Sequence, residues 1–304
     1  MAPLPVTVIG GYLGAGKTTL VNHLLRHPEG RRLAVLVNEF GDLPIDADLI
    51  EHRDEDMIAI AGGCVCCSYG SDLIEALERM LTLDPRPDHL LIEASGVALP
   101  GGIASSLTLL MGYRLDAVLV LADAETIRAR VADRYLADTI ARQLAEADLV
   151  LLNKADLVSS DYLAETGEWL AGASPRARIV TATNAAPPAD LVLGIAAEQL
   201  PAHEHAHHHH STGYDTESFP VTAPADAEAL ARALADPALG LLRAKGFVPV
   251  PDGTLRTIQT VAQRWSVSAA PAGIAGPGRL VAIALPGQLD RQAIQRAIAT
   301  ASTG

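Results

Sequence analysis

Cysteine is scarce in this sequence: three in 304 residues, all inside the stretch GGCVCCS at positions 62–68. An odd, clustered set excludes a disulfide framework, and in a reducing compartment such a cluster points to metal binding or thiol chemistry. Basic residues are also in deficit, with 23 Lys and Arg against 36 Asp and Glu and a formal charge of −13. The isoelectric point is near 5.1. Sequence-independent binding of nucleic acid depends on cations that neutralise phosphates, so no nucleic-acid partner is expected. No apolar run is long enough to cross a bilayer, and no basic segment precedes the first one, at positions 6–9. Neither a membrane partner nor a secretory signal is expected, and the expected location is the cytoplasm. What the chain has is core material: 49% hydrophobic residues and a mean hydropathy of +0.22 suit one large domain or two ordinary ones.

The segment GYLGAGKT, Gly11 to Thr18, fits the pattern G-x-x-x-x-G-K-S/T between an apolar run and a helical pattern at 18–25. That context predicts a P-loop, cradling phosphates with the amides of Gly11, Gly14, Ala15, Gly16, Lys17, Thr18 and Thr19. Lys17 is expected to bridge the β- and γ-phosphates and Thr18 to ligate Mg²⁺. Farther on, LVLLNKADL places Asn153, Lys154 and Asp156 after a buried-strand pattern at 148–152. In the N-K-x-D reading, Asp156 accepts from guanine N1–H and the 2-amino group, Asn153 meets the other ring edge, and the Lys154 stem covers the ring face. Adenine offers no such donor pair, so GTP is the expected nucleotide.

Three further apolar runs end in Glu39, Glu93 and Asp123, and helical patterns such as 73–83 and 135–147 lie between the strands. Alternating strands and helices predict an α/β fold, a P-loop NTPase domain with a mostly parallel sheet whose ligands sit at the carboxyl ends of strands. Within Glu-Ala-Ser-Gly, Glu93 is assigned to the outer shell of Mg²⁺ and Gly96 to a backbone N–H that senses the γ-phosphate. Asp123 is a neighbour of that edge without a defined task.

Cys64, Cys66 and Cys67 follow MIAIAGG and precede a helical pattern from about Tyr69, which puts them on a strand-to-helix turn. Such a turn favours thiolates, and three thiolates suit Zn²⁺ or Co²⁺. The fourth position is open to a carboxylate, an imidazole, water or a recipient protein. Small buried hydrophobes and redox chemistry are the alternatives at this position.

In this order, GGYLGAGKTTL, VNEFGD, GGCVCCS, IEASG and NKAD resemble the CobW-type metallochaperone GTPases of the SIMIBI P-loop branch, which carry a C-x-C-C metal motif. LLRAKGFVPVPDGTLRTIQTVAQRW resembles that family's small second domain. The resemblance implies GTP-dependent delivery of a transition metal to a metalloprotein or cobalamin-synthesis client, with Glu39 and Asp42 beside the cysteines as further metal ligands. Asp42 stands where many members have Glu, which shortens its reach. NEFGDLPIDADL lies where a GTPase keeps its first switch, so γ-phosphate and Mg²⁺ are expected to order it and the cysteine turn together.

The tract HEHAHHHH at 203–210 holds six of the ten histidines. It reads as a linker able to collect metal weakly. The expected division is a GTPase domain at 1–200, the linker at 201–213 and a small α+β domain with an antiparallel sheet at 214–304. Neither a water-orienting Gln nor an arginine finger is assignable, so slow hydrolysis is expected. A nucleotide-gated metal or redox sensor and a His-rich metal store are the competing functions.

Overall fold

The computed structural model describes residues 2–38, 58–62, 71–195, 213–271, 273–274 and 276–302. The chain divides into two compact units, Met1–Leu193 and Gly194–Gly304. The expected limit at 200 falls among residues 196–212, outside the described residues, and the limit at 213 falls on the first described residue after them.

In the first unit seven strands form one sheet: β1 Leu4–Gly11, β2 Leu33–Asn38, β3 Ile58–Gly62, β4 His89–Glu93, β5 Tyr113–Asp123, β6 Leu149–Asn153 and β7 Arg178–Thr181. Their order is β3-β2-β4-β1-β5-β6-β7, and every pairing is parallel, where a mostly parallel sheet was expected. Strands flanked on both sides and on both faces must be apolar throughout, which is why LPVTVIGG and HLLIE are near-continuous buried runs rather than alternating ones. Helices Lys17–Arg26, Ser71–Leu81, Pro100–Thr108, Ala137–Ala145 and Ser160–Ala173 alternate with the strands. Leu77, Met80, Ile103, Leu107, Ile140 and Leu170 carry their apolar faces into a core with Val8, Ile92 and Val120. β7 was not anticipated, because RIVT contains a single fully buried residue, Val180. β2, β3 and then β4, inserted between β2 and β1, fill one side of β1 before the chain crosses to β5 on the other, so the switch in strand order lies at the carboxyl end of β1. Open α/β sheets bind ligands at such a point.

The second unit is an antiparallel sheet ordered β11-β10-β9-β12-β8, from β8 Asp215–Val221, β9 Leu241–Pro249, β10 Leu255–Val261, β11 Arg264–Ala269 and β12 Gly278–Ala284. Helix Ala227–Leu234, capped by Asp226 through Glu228 N and Ala229 N, and helix Arg291–Ser302 pack on its core. TLRTIQTVAQRW, read as one segment, is a hairpin closed at Val261↔Arg264, with Ala262 at a φ of 47°. No Gly or Asn advertises that turn. Among the described residues no helix is long and apolar enough to cross a membrane.

Candidate nucleotide and metal site

The loop between β1 and helix Lys17–Arg26 sits at the switch point. Gly11, Gly14 and Gly16 all have positive φ, 129°, 78° and 105°. Gly16 also has no room for a side chain, since a Cβ there would lie 2.6 Å from Asn153 Nδ2. The following helix has no side-chain cap and no acidic residue in its first turn. Its opening N–H groups and positive end are therefore offered to an anion, which fits a nucleotide phosphate. Lys17 is buried, Thr18 half-buried and Thr19 exposed, while Ala15 is buried beneath the loop.

Thr18 Oγ1 donates to Glu93 Oε1 at 2.9 Å, joining the first turn of that helix to the end of β4. Glu93 is 2% exposed. A hydroxyl and a carboxylate beside the phosphate loop form a hard-oxygen donor set, and the residues present fit Mg²⁺, with Thr18 as ligand and Glu93 as the group that orients it. Gly96 lies in the loop after β4, where a Cβ would come within 2.8 Å of Leu13 N. The loop thus runs directly against the phosphate loop, and only glycine allows that approach.

At the neighbouring strand ends the guanine-type motif acquires a framework. Asn153 Nδ2 donates to Ala15 O at 2.9 Å and its Oδ1 accepts from Ala185 N at 2.7 Å. The sequence suggested that Asn153 meets the base; the structure gives it first a tie between the phosphate loop and the segment after β7, leaving one amide hydrogen for a ligand. Lys154 has a φ of 61° and pairs through Nζ with Asp123 Oδ2 at 2.6 Å. Asp123 therefore holds the Lys154 stem in place, a task the sequence did not reveal. Asp156 is exposed on the turn Ala155–Leu157. The segment ATNAA at 182–186 was missed: Ala182 O accepts from Ala155 N at 3.1 Å, and Asn184 and Ala185 adopt positive φ of 53° and 49°. Consecutive left-handed residues without glycine cost energy and concentrate at ligand-binding loops.

The sequence profile of the CobW/HypB/UreG nucleotide-binding domain matches residues 5–181, more than half of the chain. The chain belongs to the CobW/HypB/UreG family. Residues 215–302 match the cobalamin synthesis protein cobW C-terminal domain. The zinc chaperone CobW of Pseudomonas aeruginosa is 32% identical over 345 aligned positions, spanning 99% of this chain and 92% of the relative. Zinc chaperone CobW of a Sinorhizobium species is 31% identical over 349 positions, spanning 97% and 96%. Zinc chaperone YjiA of Escherichia coli is 36% identical over 203 positions, spanning 64% and 61%.

In this CobW-family chain Cys64, Cys66, Cys67, Glu39, Asp42 and the His tract at 203–210 lie outside the described residues. Among the described residues no group of three or more His, Cys, Asp and Glu is placed to hold a metal. The backbone still locates where the motif leaves the sheet. Register pairs Val37 with Glu93 and Asn38 with Gly62. Asn38, which precedes Glu39, and Gly62, two residues before Cys64, thus emerge one and two strands from Glu93, at spacings of about 5 and 10 Å.

Proposed function

We propose that this chain is a GTP-hydrolysing metallochaperone that carries a divalent transition metal, zinc or cobalt, at Cys64, Cys66 and Cys67 and passes it to a client metalloprotein or metal-insertion enzyme. The observation that carries the reading is the shared sheet edge: the strand end leading to Glu39 lies beside Glu93, whose carboxylate holds Thr18, and the strand end leading to the cysteines lies one strand farther out.

The nucleotide chemistry is GTP hydrolysis. Gly11, Gly14, Ala15, Gly16 and Thr19 line the phosphate loop, Lys17 lies against the β- and γ-phosphates, and Asp156 selects guanine through a paired acceptor. Mg²⁺, when bound, neutralises charge on the transferred phosphoryl group. Gly96 brings its backbone N–H toward the γ-phosphate. With no assigned arginine finger or water-orienting Gln, turnover is slow until a client supplies what is missing.

The cargo site is three thiolates completed by Glu39 or Asp42. Near-full-length relatives named zinc chaperones favour zinc, as does the general affinity order over cobalt. Residues 201–213 serve as a linker whose histidines gather metal, and 214–304 as a domain that meets the client in the cytoplasm. The test is a pair of assays on the full chain. GTP, and not ATP, is expected to be hydrolysed slowly with Mg²⁺. One tight equivalent of zinc is expected to vanish when all three cysteines become serine, and to survive deletion of 203–210. Retention of tight zinc without the cysteines contradicts the proposal.

A further inference from the structure

Helix Ala137–Ala145 has one polar side chain turned fully inward, Gln143, 1% exposed. Its Nε2 donates to Gly96 O at 3.2 Å and to Ala98 O at 2.8 Å. The amide orientation is fixed by the partners, since two carbonyls require the NH₂ group. Three residues on, Glu146 Oε2 accepts from Gly101 N at 2.7 Å, at the start of helix Pro100–Thr108. A Cβ at Gly101 would lie 2.6 Å from Glu146 Cδ, so the contact is close-packed. Gln143 and Glu146 thus grip the whole connection from Gly96 to Gly101, while Ala94 N, donating to Ile9 O at 2.8 Å, pins its beginning to β1.

We infer that Gln143 is a positioning residue for GTP hydrolysis: its amide fixes the Gly96–Val97 and Ala98–Leu99 peptides, so that the loop carrying the Gly96 N–H is held ready for the γ-phosphate. This rests on the GTPase reading above. The layout explains why a Gln stands here in an otherwise ordinary amphipathic helix. Both amide hydrogens are used on loop carbonyls and the side chain is 1% exposed, so Gln143 is placed to hold the loop rather than to meet a water. After the helix ends at Ala145, Glu146, Ala147 and Asp148 lead into β6, which ends at Asn153 with Lys154 following. One element therefore braces the γ-phosphate loop and delivers the guanine-type motif, so a change in either is transmitted through a short, packed path.

The test compares wild type with Gln143→Met, which keeps the side-chain volume without donors, and with Gln143→Glu, which sets a carboxyl against the two carbonyls. Single-turnover GTP hydrolysis, titration with fluorescent GDP and with a non-hydrolysable GTP analogue, and thermal midpoints are read on the same preparations. Loss of two neutral hydrogen bonds is expected to slow hydrolysis about tenfold or more in Gln143→Met and to weaken the triphosphate analogue selectively, with GDP affinity within about twofold. In Gln143→Glu, hydrolysis is expected to recover as pH falls and the protonated carboxyl donates again. Equal weakening of GDP and analogue, or a fall in midpoint with unchanged turnover, overturns the inference. Should the wild type fail to hydrolyse GTP, the GTPase reading fails by itself, and the ratio of analogue to GDP affinity still decides the role of Gln143.

Discussion

Replacing Asn153 by Ala isolates the link between the phosphate loop and the base-side loop. The side chain is 2% exposed and both its partners are backbone groups of buried residues, Ala15 at 3% and Ala185 at 0%. Truncation removes one donor bond and one acceptor bond. An abandoned buried group costs about 1–3 kcal/mol, and water entering the vacated volume recovers part of it. A net loss of about 2–4 kcal/mol follows, and at least 1.4 kcal/mol of it should appear at the nucleotide site if the tie holds the phosphate loop and the proposed base-side loop together. That corresponds to a tenfold or greater rise in Kd. GDP and GTP should suffer alike, since the base and the phosphates that these two loops would meet are common to both nucleotides. Fluorescent GDP titration combined with urea unfolding, with and without nucleotide, measures both parts. A Kd within twofold of wild type alongside reduced stability would show that Asn153 only packs the interior, and would refute the reasoning.

Asp156→Asn exchanges a double acceptor for an acceptor and a donor. Guanine affinity should drop at least tenfold while xanthine nucleotides, which offer a carbonyl where guanine has its amino group, gain; competition of GTP and XTP against fluorescent GDP reads the switch. Gly96→Ala forces a Cβ to within 2.8 Å of Leu13 N, a backbone atom that cannot step aside cheaply. Hydrolysis should slow more than tenfold with GDP binding little altered, and wild-type turnover would deny the close approach. Burial lowers the pKa of His23 below its ordinary value near 6.5, with His27 and Arg26 pushing the same way against the Pro187 carbonyl. Below about pH 6.5 the unfolded chain then binds more protons than the folded one, so stability falls as pH drops. The thermal midpoint should decline less between about pH 7.5 and 5.5 in His23→Gln, and an identical slope would remove His23 from the account.

Local patterns made the phosphate loop legible, because glycine positions, Lys17 and Thr18 lie on one contiguous segment with a strand before and a helix after. The same holds for N-K-A-D. What escaped reading was everything created by pairing distant segments. Asp123 was visible as a strand-end carboxylate, yet its partner Lys154 comes from the adjacent strand end. Positive φ at Ala185 leaves no mark in the sequence, because Ala does not favour it. Gln143 carries no signal of its own within the helical pattern at 135–147, and only folding turns it onto Gly96 and Ala98. The Ala262 turn was hidden for the same reason as Ala185.

Coupling between the nucleotide and the thiols is the central claim, and one titration addresses it most directly. The protein lacking 203–210, loaded with Mg²⁺ and either GDP or a non-hydrolysable GTP analogue, competes for Zn²⁺ and for Co²⁺ with a chromophoric chelator while thiolate-to-cobalt absorbance is recorded. The strand ends at Asn38 and Gly62, one and two strands from Glu93 on the same sheet edge, predict tight, cysteine-dependent binding in the triphosphate state and weaker binding with GDP. Equal affinity in both states would contradict a nucleotide-gated chaperone and leave a metal sensor or store in its place.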